Sequence, residues 1–259
     1  MNKIKILTMI TDVNQFEPYI FQQNDIGIEI QTFPQHILDD GYEDLISKFQ
    51  NKLKEYKGLV SLHGSAFDLN PGSTDKKVIE VTRYRYLQYI EIAKKLGALY
   101  VVFHSQINPL LKVPRIRQMK LNNQIKFWQD LLEELHDINL TILLENEYDD
   151  NYKDLLYLIE NIDSEQVRVC LDIGHALAYS KLTLKEWIIG LKSHIEYIHL
   201  HWNNRQNDSH SISSDEELDL LSEILIENDI TPIITLEYRV DDIVKEVNRV
   251  RKAFDKTII

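Results

Sequence analysis

From one end of the chain to the other, short runs of Ile, Val and Leu alternate about eight times with longer stretches whose apolar residues recur every three or four positions. The short runs are Ile4–Thr8, Ile26–Gln31, Leu59–His63, Leu99–His104, Thr141–Glu145, Val167–Asp172, Tyr197–His201 and Pro232–Tyr238. Most are apolar almost throughout rather than at every second residue, which predicts strands buried on both faces, as in a parallel sheet. The stretches Glu43–Tyr56, Asp75–Leu96, Ile116–His136, Lys153–Ile162, Leu184–Leu191, Asp215–Glu227 and Asp241–Phe254 carry the stripe of an amphipathic helix. A weaker helix falls within Val13–Gln23. Ser73-Thr74-Asp75 and Ser213-Ser214-Asp215 read as helix caps, and Gly97 as a C-terminal stop.

Eight such units predict a closed (β/α)8 TIM barrel of α/β class, with residues 1–259 forming a single domain. No long linker or internal repeat interrupts the alternation. No Gly-x-Gly-x-x-Gly or P-loop pattern follows a strand, which argues against an open nucleotide-binding sheet.

Charge and cysteine usage bear on partners. The formal net charge is −12, so affinity gained mainly by neutralising phosphates with Lys and Arg is disfavoured, and long duplex DNA is not an expected partner. The single cysteine, Cys170, permits no internal disulfide and suits a reducing compartment, so a cytoplasmic location is expected. It precedes Asp172 by two and reads as core packing one layer deeper in the same strand. The opening residues hold no apolar run long enough for a signal peptide, and no run anywhere is long enough to span a membrane.

Active sites of such barrels lie at the C-terminal ends of the strands. Six consecutive strand candidates end on metal-type side chains. The third ends on His63, the fourth on His104 and the fifth on Glu145. The sixth ends on Asp172 with His175 three residues on, the seventh on His199-Leu-His201, and the eighth reaches Glu237. A lone histidine after an apolar run is ordinarily a satisfied core residue, and Asp172 would serve equally as a cap before Gly174. Those ordinary explanations would have to hold six times over, always at the same end of the strand. A buried carboxylate cluster would also repel itself without cations. Imidazole with carboxylate and no thiolate suits zinc, manganese, cobalt or iron. Beyond the seventh strand, the alternation in Asp208-Ser-His210 puts two more donors on one side of an extended loop.

The segments His63-Gly-Ser-Ala-Phe-Asp68, Leu96-Gly-Ala-Leu-Tyr-Val-Val-Phe-His104, Leu144-Glu145-Asn146, Leu171-Asp172-Ile-Gly-His175 and Ile198-His199-Leu resemble the xylose isomerase-like TIM barrels. That superfamily includes sugar isomerases and epimerases and the endonuclease IV group of abasic-site nucleases. The likeness to the sugar branch implies one metal ion held by Glu145, Asp172, His199 and Glu237, with manganese, cobalt or magnesium as the ion. The two glutamates would then pass a proton on and off the carbon beside a carbonyl. The likeness to endonuclease IV implies up to three zinc ions on His63, His104, Glu145, Asp172, His175, His199, Asp208, His210 and Glu237, with Glu145 between metals orienting the attacking water.

Because Asp208 and His210 have no use in a one-metal isomerase, the leading expectation is a metal-dependent phosphoester hydrolase acting on a small phosphorylated or nucleic-acid-derived molecule. The alternative is a single-metal sugar or sugar-phosphate isomerase or epimerase with Glu145 and Glu237 as its acid/base pair. Three departures bear on the nuclease likeness. The first strand reads Leu7-Thr-Met-Ile-Thr-Asp12 with no histidine, Ala66 and Phe67 stand where two bulky DNA-probing residues usually do, and Ser211-Ile-Ser-Ser-Asp-Glu-Glu217 replaces a glycine-containing stretch. Trp202, Arg205 and Arg239 are candidate substrate contacts, although Arg239 has nearby Asp241 and Asp242 as pairing partners.

Overall fold

A computed structural model describes residues 4–65, 67–135 and 139–255. Eight parallel strands close into a barrel in sequence order: β1 (Ile6–Ile10), β2 (Ile26–Ile30), β3 (Val60–His63), β4 (Tyr100–His104), β5 (Thr141–Glu145), β6 (Val167–Asp172), β7 (Ile195–Leu200) and β8 (Ile233–Leu236). The connecting helices are α1 (Pro18–Gln23), α2 (Gln35–Asp40), α3 (Glu43–Leu53), α4 (Lys76–Leu96), α5 (Pro114–Glu134), α6 (Lys153–Ile162), α7 (Ile173–Tyr179), α8 (Leu184–Leu191), α9 (Asp215–Glu227) and α10 (Ile243–Asp255). Among the described residues, no helix is long and apolar enough to cross a membrane. The helix end expected at His136 and the loop residue Ala66 lie outside the described residues.

The (β/α)8 expectation holds, and most element boundaries differ from the sequence reading by a few residues for identifiable reasons. β1 starts at Ile6 rather than Ile4, because its ladder with β2 runs from Ile6 opposite Ile26 to Ile10 opposite Ile30. β7 starts at Ile195, drawn in by pairing with Val169, and stops before His201. α3 ends at Leu53; beyond it Tyr56 is buried, and its hydroxyl donates to the Ile26 carbonyl. α5 begins at Pro114, a residue suited to the first helical turn. Two short helices, α2 and α7, were not evident in the periodicity, since each carries under two turns of stripe.

The caps form as their residues dictate. Asp75 accepts from the Lys77 amide at the start of α4, and Gly97 ends it with φ of +68°. Ser214 and Glu217 make a reciprocal capping box on α9.

Strand parity sorts the barrel interior into layers. Leu7, Val102, Leu143, Cys170 and Tyr197 form a small apolar floor, so Cys170 packs in the core as expected. Gly27 lies beside this layer, where a Cβ would collide with the Leu7 side chain. One step toward the C-terminal ends, the inward positions become polar. Register sets His104 opposite Glu145 on neighbouring strands, and Asp172 opposite His199. Outside the strands, Tyr86 of α4 stacks on Phe103 at 4.1 Å and on Trp128 of α5 at 5.2 Å, tying two helices to β4.

Candidate metal centre

Glu145 sits at the middle of the C-terminal mouth, fully buried, with its two oxygens facing different neighbours. Oε2 lies 3.2 Å from His63 Nε2 and 3.4 Å from His104 Nε2, while Oε1 lies 3.1 Å from His199 Nδ1 and 3.4 Å from His175 Nδ1. His199 Nδ1 is also 3.5 Å from Glu237 Oε2 and 3.7 Å from Asp172 Oδ2. Asp172 caps α7 through Oδ1, which accepts from the His175 amide at 2.6 Å. Its Oδ2 meets His201 Nε2 at 3.1 Å, so capping and site-building coexist in one side chain.

A second cluster lies outward. Asp208 Oδ2 is 3.3 Å from His175 Nε2 and 3.1 Å from His210 Nε2, and its Oδ1 is 3.4 Å from His201 Nδ1. Reciprocal backbone hydrogen bonds between Trp202 and Ser211, at 2.7 and 2.8 Å, fold the loop back so that Asp208 and His210 face the barrel. His210 also donates from Nδ1 to the Glu237 carbonyl at 2.7 Å.

The donor atoms fall into four overlapping groups, each within 4.8 Å: Glu145, Asp172, His199 and Glu237; His63, His104 and Glu145; His63, His199 and Glu237; and His175, His201, Asp208 and His210. All nine sequence-expected ligands are brought together here. His201 joins them; its spacing of two from His199 was the signal, since residues two apart in extended chain share a side.

Electrostatics bind the cluster. Burial pushes the Glu145 carboxyl up, but the imidazoles of His199, His104 and His175 outweigh it and hold its pKa well below the usual range. Burial opposes protonation of His63, yet its hydrogen bond to Glu145 and the nearby carboxylate charges raise it to about 9. The hydrogen bond to Asp208 lifts His210 to about 9 against partial burial. His175 and His199 are raised well above their ordinary value despite burial, because each faces several carboxylates.

A divalent cation fits this donor set. Glu237 Oε2, His201 Nδ1 and Asp208 Oδ1 are buried without a hydrogen-bond partner, and each belongs to a residue of one of these groups. Nitrogen and carboxylate oxygen donors suit zinc, manganese or cobalt, and the buried carboxylates would otherwise depend on imidazolium for neutralisation.

The centre opens into a cavity of about 350 Å³. Gln31, Gln35 and Ser65 offer polar groups, and Phe67, Tyr148 and Tyr179 provide aromatic walls; among the described residues, no Lys or Arg lines it. Trp202, Arg205 and Arg239 do not reach this cavity. Trp202 packs against the core, Arg205 is exposed on its loop, and Arg239 borders a separate cleft with Phe21 and Ile243. Sequence reading missed Glu29, fully buried on β2, and Glu147, whose Oε1 lies 3.1 Å from His104 Nδ1. Glu147 follows Glu145 by two, a parity signal like that of His201. Glu29 stood inside an apolar run and gave none.

Residues 26–256 match the family described as xylose isomerase-like TIM barrel. The chain belongs to that family. An uncharacterised protein of Methanocaldococcus jannaschii is 28% identical over 193 residues, covering 68% of this chain and 65% of that protein. A probable endonuclease 4 of Aquifex aeolicus is 27% identical over 155 residues, covering 57% and 53%. The chain thus spans less than two thirds of the length of either relative. A solved structure described as a D-tagatose 3-epimerase-like protein superposes with TM-score 0.77 over 99% of this chain and 100% of that one, at 22% identity, which is a likeness of fold. Members of this xylose isomerase-like family include enzymes that differ in reaction while sharing the barrel.

Proposed function

We propose that this xylose isomerase-like barrel is a metal-dependent isomerase or epimerase of a small sugar, with Glu145 and Glu237 as its acid/base pair. The observation that carries it is the pairing of those two buried carboxylates with a cavity that, among the described residues, is lined by no Lys or Arg. Its aromatic walls suit the C–H faces of a sugar, and its amides and hydroxyl suit sugar hydroxyls. The fold likeness to a protein described as D-tagatose 3-epimerase-like supports the same direction. This reverses the order of the two sequence-derived expectations.

Glu145, Asp172, His199 and Glu237 would hold the ion, which supplies Lewis-acid polarisation of a substrate oxygen. Glu145, held ionised by its imidazole neighbours, is suited to take a proton from the carbon beside the carbonyl. Glu237, starting the cycle protonated, gives its proton to the adjacent position or the opposite face, so the pair ends with the proton on Glu145 and Glu237 as carboxylate. Proton count is conserved, and exchange with solvent resets the pair.

A second reading, a phosphoester hydrolase with up to three zinc ions, is favoured by the group His175, His201, Asp208 and His210 and by the two-sided placement of Glu145. Incubation of the metal-reconstituted protein in D2O with a panel of ketoses and aldoses, alongside phosphomonoesters and phosphodiesters, separates the two. Deuterium entering a sugar without hydrolysis carries the first reading. Phosphoester cleavage with no exchange across the sugar panel sinks it in favour of the second.

A further inference from the structure

β2 contributes no donor to any of the metal-type groups, yet its C-terminal end carries a fully buried carboxylate, Glu29, followed two residues later by Gln31. A buried anion is tolerated only where donors surround it. Glu29 Oε2 accepts from the Tyr197 hydroxyl at 2.9 Å and from Ser61 Oγ at 3.4 Å, and Oε1 accepts from Gln31 Nε2 at 2.9 Å. Both of its oxygens lie 3.1 Å from His199 Nε2.

We infer that Glu29 and Gln31 are positioning residues that fix which nitrogen of His199 and which oxygen of Glu237 face the metal. The inference rests on the metal-centre reading above. An ionised carboxylate only accepts, so His199 Nε2 must carry a hydrogen toward Glu29. The remaining nitrogen, Nδ1, is the one that faces Glu145, Glu237 and Asp172. Glu29 thereby selects the tautomer whose lone pair points into the four-donor group.

Gln31 does the equivalent for Glu237. Its Nε2 lies 2.9 Å from Glu29 Oε1 and 2.7 Å from Glu237 Oε1. Glu29 Oε1 and Glu237 Oε1 both accept there, so the amide nitrogen, not the oxygen, stands at that position. With Oε1 occupied, Glu237 is left with Oε2 buried, unpartnered and 3.5 Å from His199 Nδ1. One carboxylate on β2 and one amide just beyond it thus orient two ligands contributed by β7 and the segment after β8. A carboxylate behind a ligating imidazole also raises the basicity of the ring.

The test is cobalt and zinc affinity by competition with a chromophoric chelator, read together with the visible spectrum of the cobalt-loaded protein. Glu29→Gln can present an amide hydrogen to Nε2 and so favour the opposite tautomer. It is expected to weaken the tightest ion by about 10–100-fold and to shift the cobalt bands. Gln31→Met, at a partly exposed position, removes only the amide and is expected to weaken it in the same direction, which keeps the inference testable if Glu29→Gln fails to fold. Tyr197→Phe, which loses a donor to Glu29 but leaves His199 in place, should keep the cobalt spectrum of the parent. Parent-like affinity and spectrum in folded Glu29→Gln or in Gln31→Met overturn the positioning role and leave the metal centre standing. A parent protein that takes up neither cobalt nor zinc overturns the metal-centre reading itself.

Discussion

The rings of His201 and His210 lie face to face, with centroids 3.9 Å apart and planes 4° from parallel. His201 is fully buried at the end of β7, whereas His210 comes from the loop beyond it, and both address the carboxylate of Asp208. Two imidazolium rings in that stack would repel, and a shared cation would let both rings donate to one site. Replacing His210, whose side chain is 40% exposed, with Ala should lower metal content by one ion per chain. The metal-free protein should lose about 1–2 kcal/mol of stability at neutral pH, because the ion pair with Asp208 and the hydrogen bond to the Glu237 carbonyl go with the ring. Elemental analysis with thermal unfolding checks both; unchanged metal content would make Asp208 and His210 an ordinary loop pair.

Metal uptake should release protons at neutral pH. His63 and His210, each raised to about 9, are protonated there in the metal-free chain and must give up those protons to become ligands. Release per bound ion should therefore diminish as pH rises through about 9. Calorimetry in buffers of different ionisation enthalpy measures this directly, and a pH-independent release of zero would contradict it.

The same pairs make the metal-free fold pH-sensitive. Histidines raised from 6.5 to about 9 contribute stability that is full below about 6.5 and lost as pH rises through about 9. Glu145, held low, contributes in the opposite sense, its share being lost in acid. Melting temperature of the chelator-treated protein should thus fall from neutral toward alkaline pH. The zinc-loaded protein should show a smaller decline.

Gly174 gives way to His201. A Cβ there would collide with the imidazole, which is buried and held by Asp172. Gly174→Ala should cost about 1–3 kcal/mol in chemical denaturation and weaken any ion bound at His175, His201, Asp208 and His210, because the ring must move to accept the methyl group. Retained metal content with parent stability would show that His201 moves aside freely.

If the isomerase reading holds, Glu145→Gln and Glu237→Gln should each slow solvent-deuterium exchange into substrate by about 10²–10⁴-fold. Glu29→Gln should act through metal occupancy and be partly rescued by excess metal. A Glu237→Gln enzyme exchanging at the parent rate would remove Glu237 from the acid/base pair.

Most of the barrel, and nine of the side chains that the fold gathers at its mouth, were legible in one dimension. Apolar runs of four to six residues, each closed by His, Glu or Asp, announce both a buried parallel strand and the end at which its site lies. Thr141–Glu145 and Val167–Asp172 coincide with β5 and β6 because burial and the terminal ligand mark the same boundaries. β1 slid by two residues because its ends are set by hydrogen-bonding partners on β2 and β8. Arg205, Arg239 and Trp202 were named by proximity in sequence, and loop direction carried all three away from the cavity.

The sequence by itself determined the barrel and the donors at the strand ends, because hydrophobic period and residue type are local properties. Only the tertiary structure decided that Glu29 and Gln31 stand behind His199 and Glu237, 170 and 206 residues away along the chain. A glutamate within an apolar strand has no local mark of its purpose. Closure of the barrel brings it under an imidazole, and that contact turns a costly buried charge into an orienting one.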